Sequence, residues 1–303
     1  MDLRQLAALT AVADAGSFSA AARRLHTVQS NVSTHVARLE SELGATLVDR
    51  ATGTLTDEGD AVALRARRIQ HELESLRADV DSMLHEVSGA VRLGCIGSVG
   101  RWLVPRLLHD IDERHPRVRV VVVDATTTSL VPQLVADSLD LAVVNLPLAD
   151  GELATEPLFD EDRIILAPAD HPLAEHASVE LAALSDHALL LEPRGTAFRD
   201  ELDDAVAQIG VDLNVRAEID GIRLLTSLAF EGFGPAMVPA TAAPSWMGSA
   251  CRRVAVDGLT PRSVGLAWPR RGRLSAPARA VRDVVRDLVA GIEHAGVHPR
   301  LAG

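Results

Sequence analysis

The sequence contains no lysine, so all 30 of its basic residues are arginines. Several kinds of catalysis depend on the lysine amine: phosphate binding in the glycine-rich loop of nucleotide hydrolases, Schiff-base formation with pyridoxal phosphate, and proton abstraction by a neutral amine. Arginine cannot supply a neutral amine, because its guanidinium group stays protonated in proteins. These classes of enzyme are therefore excluded.

Long apolar runs are missing too. No stretch approaches the roughly 20 apolar residues that a membrane-spanning helix needs, and the first residues lack the basic and apolar segments of a signal peptide. We therefore expect no membrane partner and a cytoplasmic location. The chain has 303 residues, 47% of them hydrophobic, which is enough for two or three globular domains.

Cysteine is scarce, with only Cys95 and Cys251 in the chain. Two thiols so far apart in sequence are more often free core residues than a disulfide, and thiols of cytosolic proteins usually stay reduced. No spacing typical of zinc ligands occurs, and we expect neither a metal nor a cofactor. A thiol sensor based on Cys95 is a weaker alternative, because Cys95 falls within a predicted strand and no resolving cysteine is near it.

The net charge of −12 argues against a chain that coats nucleic acid without specificity. The charge is unevenly distributed, however. Residues 1–56 carry five arginines and five acidic residues, whereas residues 57–88 carry four arginines and eight acidic residues. The N-terminal segment is thus the least acidic part of the chain, although it is not basic and its charge alone does not indicate DNA binding.

Three short helices are predicted in this N-terminal segment. Apolar residues recur at helical spacing from Leu3 to Val12, and Gly16 ends that helix. Ser17 is a suitable N-cap for a second, alanine-rich helix over Phe18 to Leu25. After a three-residue turn, a third helix is predicted from Gln29 to Leu43. Two short helices joined by such a turn, the second with a polar face, are typical of a helix-turn-helix.

The polar face of the third helix carries amides, hydroxyls and an imidazole, with no acidic residue before Glu40. A solvated helix face is the simpler alternative, but such faces usually carry glutamates in ion pairs. Side chains of the present kind can donate to phosphates and base edges without repelling DNA. The predicted DNA-binding residues are Arg24, Gln29, Ser30, Asn31, Ser33, Thr34, His35, Arg38 and Arg50.

Within that set, we expect Gln29, Ser33 and His35 to approach base edges and Arg38 to contact a phosphate. Protonation of His35 would strengthen contact with phosphate, so the prediction includes modestly tighter DNA binding toward pH 6.

The sequence FSAAARRLHTVQSNVS at residues 18–33 resembles the DNA-binding signature of the LysR family of transcriptional regulators. The resemblance continues with RLE at 38–40, LGATLVDR at 43–50 and LTDEG at 55–59. It covers about the first 60 residues at consistent spacing, which makes it far more specific than a single motif. It implies a winged helix-turn-helix whose recognition helix begins near Gln29.

The chain departs from the family pattern at three places. Thr34 and His35 stand where many members have an arginine and a glutamine, and Val48 replaces a common phenylalanine. The wing, residues 51–54, is about two residues shorter than usual and has no basic residue. We therefore expect the wing to contribute little contact with phosphate or the minor groove, so that affinity rests more on the recognition helix.

A long helix is predicted over residues 58–88, because apolar residues alternate there at intervals of four and three positions. This row consists of Val62, Ala66, Ile69, Leu73, Leu76, Val80, Met83 and Val87. A helix packed on its own domain is the alternative, but a helix of roughly 40 Å extends beyond a small domain. We predict a coiled-coil linker that dimerises through Val62, Ile69, Leu73, Leu76, Val80 and Met83, as the resemblance also implies. The sequence leaves dimer and tetramer open.

From residue 89 onward, strand and helix patterns alternate, which predicts a parallel sheet. The segments at 139–144, 171–174 and 232–239 resemble landmarks of the LysR effector domain, whose two α/β lobes are similar to type 2 periplasmic binding proteins. The expected domains are a winged helix-turn-helix at 1–57, the linker at 58–88 and an effector domain at 89–303. By the same resemblance, lobe I comprises 89–161 and 266–303, and lobe II comprises 162–265.

Three predicted junctions between a strand and a helix carry hydroxyls, at Ser98, at Thr126 to Thr128 and at Thr196, the last next to Arg194. Helix N-termini offer free N–H groups and positive potential, so these junctions favour a small organic anion. The hydroxyls could instead only cap their helices. The family places its effector between the lobes, and the predicted effector-binding residues are Ser98, Val99, Thr126, Thr128, Arg194, Thr196, Phe198 and Ile222.

The interpretation we favour is a regulator that binds double-stranded operator DNA and itself, and whose activity responds to a small-molecule effector. A binding protein or enzyme whose N-terminus serves only assembly is the alternative. The continuous match over Gln29 to Arg38 and the lack of a catalytic constellation disfavour it.

Overall fold

The computed structural model describes residues 1–243 and 248–300. The chain divides into two compact units, the first comprising residues 1–85 with 135–138 and the second comprising the rest from residue 86 onward. In chain order the helices are α1 Leu3–Ala15, α2 Phe18–Arg24, α3 Gln29–Leu43, α4 Asp57–Leu84, α5 Gly97–Arg114, α6 Thr127–Val135, α7 Ala197–Gln208, α8 Ile222–Phe230 and α9 Ala276–Ala290. None of the described helices is both long and apolar enough to cross a membrane.

Twelve strands are described, all in the second unit. They are β1 Ser88–Cys95, β2 Arg117–Asp124, β3 Leu141–Leu146, β4 Leu153–Glu161, β5 Arg163–Pro168, β6 Ser178–Glu180, β7 Leu189–Leu191, β8 Val215–Glu218, β9 Ala236–Pro239, β10 Cys251–Asp257, β11 Arg262–Pro269 and β12 Val297–Pro299.

Local signals set the ends of the helices in the first unit. The side chain of Asp2 accepts hydrogen bonds from the start of α1, and Gln5 bonds back to the Asp2 backbone in a capping box. Gly16 ends α1 with φ 68°, a left-handed conformation that glycine adopts without steric cost. Ser17 then caps α2 as the sequence predicts. These ends therefore follow from residues within one turn of them.

The core of the first unit is formed by α1, α3 and the segment after α3. Leu9, Val36, Leu39 and Leu47 are fully buried there. The wing is a short turn closed by a single β-bridge between Val48 and Leu55. Val48 thus fills a core position with an aliphatic side chain where the family often has an aromatic one.

Helix α4 has two parts with different surroundings. Ala63 and Ala66 are buried against the core of the first unit, and Val62 packs partly on it. Beyond them, the apolar row of Ile69, Leu76, Val80 and Met83 is exposed, and Leu73 is half-buried. The start of α4 thus completes the fold of its own unit, and a place for Val62 in a dimer seam stays a prediction. The helix also ends at Leu84, so the expected linker boundary at 88 is too late.

The second unit contains two mixed six-stranded sheets, which define its two lobes. The first has the order β12-β4-β11-β3-β1-β2, and the second has the order β6-β10-β5-β9-β7-β8. Strand β1 pairs in parallel with β2 and β3, whereas β11 pairs antiparallel with β3 and β4. The parallel pairing that the alternating pattern predicts is therefore present, whereas the strands near the two chain crossings run antiparallel to their neighbours.

The chain crosses between the sheets twice. It leaves the first sheet at Glu161, enters the second at Arg163, and returns between Asp257 and Arg262. Strand β11, which begins at Arg262, pairs along its length with β3 and β4. The expected return at residue 266 is therefore four residues too late. A consequence of this topology is that the first residue of β11 lies opposite the last residue of β4, with Arg262 in register with Glu161.

Candidate functional site

A cavity of about 320 Å³ lies between the two sheets of the second unit. Four helices begin at its wall: residues at the N-termini of α5, α6, α7 and α8 all line it. The Thr196 side chain caps α7 by accepting from Arg199 N at 3.3 Å, but no side chain caps α5 or α8. Because uncapped N-termini present N–H donors and positive potential, the cavity wall can stabilise negative charge.

Six of the eight predicted effector-binding residues line this cavity. They are Ser98, Thr126, Thr128, Thr196, Phe198 and Ile222. The hydroxyls of Thr126 and Thr128 lie 2.9 Å apart at the start of α6. The sequence pattern of hydroxyls after strand ends thus identified groups from both lobes that the fold brings to one place.

Two of the eight predictions are wrong. Val99 is fully buried in lobe I and does not line the cavity. The side chain of Arg194 is 76% exposed and lies 3.6 Å from Asp203, away from the cavity. Arg194 occupies the exposed loop before α7, where its ion-pair partner is the half-buried carboxylate of Asp203.

Besides Arg223, the arginine that lines the cavity is Arg262, which is buried. Its Nε lies 2.8 Å from Glu161 Oε2, and one of its terminal nitrogens lies 2.6 Å from the same oxygen. It also donates to Ser98 Oγ at 2.6 Å and to Asn145 Oδ1 at 3.1 Å. Glu161 is fully buried and Arg262 is 8% exposed, so this is a buried ion pair with nearly all of its hydrogen-bonding groups satisfied.

Glu161 also connects the lobes through its other oxygen. Glu161 Oε1 accepts a hydrogen bond from the backbone N–H of Thr241, which belongs to lobe II. The guanidinium of Arg262 lies 5.9 Å from the ring centre of Phe198, also in lobe II. The pair therefore holds groups of both lobes at the floor of the cavity. The sequence did not predict this ion pair, because Glu161 and Arg262 are about a hundred residues apart. The only local signal was a single arginine at the start of an apolar strand.

One further arginine and three carboxylates also line the cavity. Arg223 at the start of α8 forms an ion pair with Asp124 at the end of β2. A Cβ at Gly97 would lie 3.1 Å from Asp124 Oδ1, so this carboxylate covers the N-terminus of α5. Glu192 and Asp220 from lobe II also line the cavity. Burial raises the pKa of Glu192, and the negative charge of Asp220 adds to the rise, although Arg262 and Thr196 oppose it.

The exposed face of α3 presents one row of polar side chains in the first unit. Ser30, Thr34 and Arg38 are spaced by four residues, opposite the buried Val32 and Val36, and all three are exposed. Thr34 Oγ1 donates to Ser30 O at 2.8 Å, which fixes its rotamer. These predicted DNA-binding residues therefore share one accessible surface.

Ser33 and Arg50 lie together on one flank of α3. Arg50 donates to Ser33 Oγ and to Glu40 Oε2, both at 2.9 Å, and its guanidinium lies 4.9 Å from the ring centre of Phe18. Glu40 also accepts a hydrogen bond from the backbone N–H of Leu47 at 2.9 Å. Burial raises the pKa of Glu40, but the hydrogen bonds from Leu47 and Arg50 together hold it below the usual value. Arg50 thus braces α3 against the base of the wing.

The other predicted residues lie apart from the exposed row. Asn31 Nδ2 donates to Thr27 Oγ1 at 3.0 Å, and Arg24 forms an ion pair with Asp14 at 3.0 Å. His35 is half-buried on the flank toward Asp2, where its charge contributes to lowering the pKa of that carboxyl after the larger contribution of the Gln5 backbone N–H. The imidazole therefore does not extend the row formed by Ser30, Thr34 and Arg38.

A helix-turn-helix with an accessible polar helix, in one chain with a two-lobed domain that encloses a cavity, is the arrangement of a DNA-binding regulator with a ligand-binding domain. Comparison with known proteins agrees. Residues 3–60 match the model of the bacterial regulatory helix-turn-helix proteins of the lysR family, and residues 85–290 match the LysR substrate binding domain. The chain belongs to the LysR family of transcriptional regulators, as the sequence resemblance implied, and it is a regulator rather than an enzyme.

Among its relatives, an uncharacterized HTH-type transcriptional regulator, YfeR of Shigella flexneri, is 31% identical over 96% of both chains. A probable hydrogen peroxide-inducible genes activator of Streptomyces viridosporus is 30% identical, covering 94% of this chain and 95% of the relative. The fold resembles that of a full-length OxyR variant of Pseudomonas aeruginosa, with a TM-score of 0.76, 24% identity and coverage of 100% and 99%. It also resembles CbnR bound to its target DNA, with a TM-score of 0.70, 24% identity and coverage of 95% and 99%.

The buried ion pair gives a direct test of this architecture. Arg262→Met leaves Glu161 buried without its counter-charge, so we expect unfolding of the second unit to become easier by about 3–5 kcal/mol. Adding Glu161→Gln should restore part of that loss, because the unpaired charge is removed. Thermal and urea unfolding of the full chain measure both effects. Arg194→Met, at an exposed arginine, is the control, and equal losses in the two single variants would contradict the role given to Arg262.

Proposed function

We propose that this protein controls transcription by binding a DNA operator as a homo-oligomer in the cytoplasm, and that a small organic acid bound between its lobes modulates this activity. The observation that carries the effector part is the convergence of four helix N-termini on one cavity. The proposed domains are the winged helix-turn-helix, the linker helix and the effector domain, with the boundaries corrected to 84 for the linker and 262 for the return to lobe I.

The DNA contacts follow from the accessible surface of α3. Gln29 stands at the exposed first turn, the part of a recognition helix that approaches base edges, while Arg38 lies two turns further along in the exposed row. Arg50 supports this surface through Ser33 instead of serving only as a phosphate contact. The proposal therefore assigns base reading to the start of α3 and phosphate binding to Arg38.

For the effector, the hydroxyls of Thr126 and Thr128 and the N–H groups at the start of α6 are the donors we assign to a carboxylate. Ile96, Phe198 and Ile222 supply an apolar wall. A cavity of this size suits a small molecule bound largely out of water. Apolar contacts and a few convergent donors together fit a small organic acid.

Several relatives carry names that refer to hydrogen peroxide, but we do not extend that response to this chain. A peroxide-reactive cysteine has to be accessible and deprotonated. Cys95 and Cys251 are both buried, and burial raises their thiol pKa values to about 12 and about 11. The weak alternative of a Cys95 thiol sensor is disfavoured for the same reason.

Thiol accessibility can be measured directly. In the native protein at pH 8, both thiols should remain unreactive toward Ellman's reagent, because they are buried and protonated, and both should react once the protein is unfolded. Hydrogen peroxide should leave operator binding unchanged. Rapid reaction of either thiol in the folded protein would overturn this reading and restore peroxide sensing as a candidate.

Self-association depends on the exposed part of α4. Leu76 is 58% exposed in the single chain, and burying it against a second copy stabilises a dimer. Leu76→Asp should raise the dimer dissociation constant by about a hundredfold or more, since an apolar contact is lost from each chain. Sedimentation over a dilution series measures this. Ser75→Asp adds the same charge off the apolar row and should leave assembly unchanged; equal effects of the two variants would refute the seam.

DNA binding is tested with an operator obtained by selection from random duplexes. Gln29→Ala should cost about 1–3 kcal/mol on that operator and little on random DNA, whereas Arg38→Ala should weaken both and reduce the salt slope by about one. Fluorescence anisotropy at several salt concentrations measures both. Arg252→Ala, at an exposed arginine of β10, should bind as the wild type does. Uniform losses for Gln29→Ala on all sequences would argue against base reading at that residue.

A further inference from the structure

The charges that line the cavity do not balance in favour of a simple anion. Three carboxylates, from Asp124, Glu192 and Asp220, face two guanidiniums, from Arg223 and Arg262. An organic acid without any positive group would enter a cavity whose own side chains already carry a negative excess. Coulomb repulsion in a half-enclosed space of low polarity opposes that entry.

Both guanidiniums are already engaged. Arg223 is paired with Asp124, and Arg262 is paired with the buried Glu161. Within residues 1–243 and 248–300, neither Glu192 nor Asp220 forms an ion pair. Two carboxylates of lobe II thus face the cavity with no cation bound to them.

The two carboxylates follow adjacent strand ends, because the N–H of Ile219 donates to the carbonyl oxygen of Leu191 at 2.9 Å. Burial raises the pKa of Glu192, the charge of Arg262 opposes that rise, and the charge of Asp220 adds a smaller contribution to it. Asp220 immediately precedes Gly221, the N-cap residue of α8, and Glu192 follows the end of β7. An ammonium group placed here would remove the electrostatic penalty on both carboxylates at once.

Lobe I presents hydrogen-bond donors to the cavity at the start of α6. The N-terminus of α6 carries the hydroxyls of Thr126 and Thr128. The carboxylate of Asp124, two residues before Thr126, lies over Gly97 and forms an ion pair with Arg223. The start of α6 is therefore the part of the cavity best suited to a carboxylate.

We propose that the effector is a zwitterion of the amino-acid type, with its ammonium group held by Glu192 and Asp220 of lobe II and its carboxylate at the N-terminus of α6 in lobe I. This inference rests on the proposed binding of an organic acid in the same cavity and names its class. The apolar side chain of the ligand lies against Phe198 and Ile222. Because its two charges engage different lobes, such a ligand favours the arrangement in which the lobes approach each other.

The test uses the full-length protein with defined probes. The twenty standard L-amino acids are screened by thermal shift, alongside amine-free acetate, benzoate, succinate and 2-oxoglutarate. Each amino acid that binds is compared by calorimetry with its deaminated acid and its decarboxylated amine. We expect at least one amino acid to bind, and removal of either charged group to weaken binding by about tenfold or more.

Variants then locate the ammonium site. Glu192→Gln should weaken the amino acid by about tenfold or more, because the ammonium group loses a partner, and Asp220→Asn should act in the same direction. The deaminated acid should bind each variant as tightly as the wild type or more tightly, because a repelling carboxylate is removed. Glu180→Gln removes an exposed carboxylate of lobe II outside the cavity and should have no effect. An unchanged melting transition without ligand verifies the fold of each variant. Wild-type affinity of Glu192→Gln for the amino acid would overturn the inference.

The two classes of probe distinguish failure of the zwitterion inference from failure of the proposed binding of an organic acid. If amine-free acids bind as tightly as amino acids, the zwitterion is wrong and the organic acid stands. If only amines without a carboxylate bind, or if no probe of either class binds, both are wrong.

Discussion

The effector domain depends on a buried ion pair at the point where its chain changes sheets. Glu161 is the last residue of one sheet before the first crossing, and Arg262 is the first residue after the second. Breaking such a pair leaves a charge without water or partner, which costs several kcal/mol. The two crossings are therefore held side by side, and the cavity floor, with Ser98 and Phe198 around the guanidinium, is defined by the same contact.

The linker helix serves two needs with one apolar row. Its first turns, through Ala63 and Ala66, close the core of the DNA-binding unit, where small side chains allow close packing. Its later turns expose Leu76 and Val80. Folding of the DNA-binding unit and the proposed pairing of chains are thus encoded in successive segments of one helix, and a substitution affects one or the other according to its position along it.

Sequence reasoning succeeded where the cause of a structure is local. The ends of the first helices follow from Gly16 and Ser17, which lie within one turn of the ends that they set. The sequence did not predict structure that depends on pairing between strands far apart in the chain. Strand β4, with Pro157 and three acidic residues, has no clear alternation, and it exists because β11 pairs with it a hundred residues later.

The same distinction explains the site. Hydroxyls after strand ends were visible in the sequence, and the fold gathers them. The sequence did not show that Arg262, and not Arg194, lines the cavity. That outcome depends on the buried carboxylate of Glu161 at the end of a strand about a hundred residues away. The family resemblance supplied the DNA-binding helix, but not the position of His35 on its inner flank.

The double crossing has a consequence for the gene. Strand β11 lies between β3 and β4, in the interior of the first sheet, although it is encoded near the 3′ end. A stop codon after Asp257 would spare every described strand of the second sheet and yet remove the strand that joins the two halves of the first. Early termination there would not yield a regulator with a merely shortened tail. Strand β12 and helix α9 would be lost as well, and β4 would be separated from β3, β1 and β2.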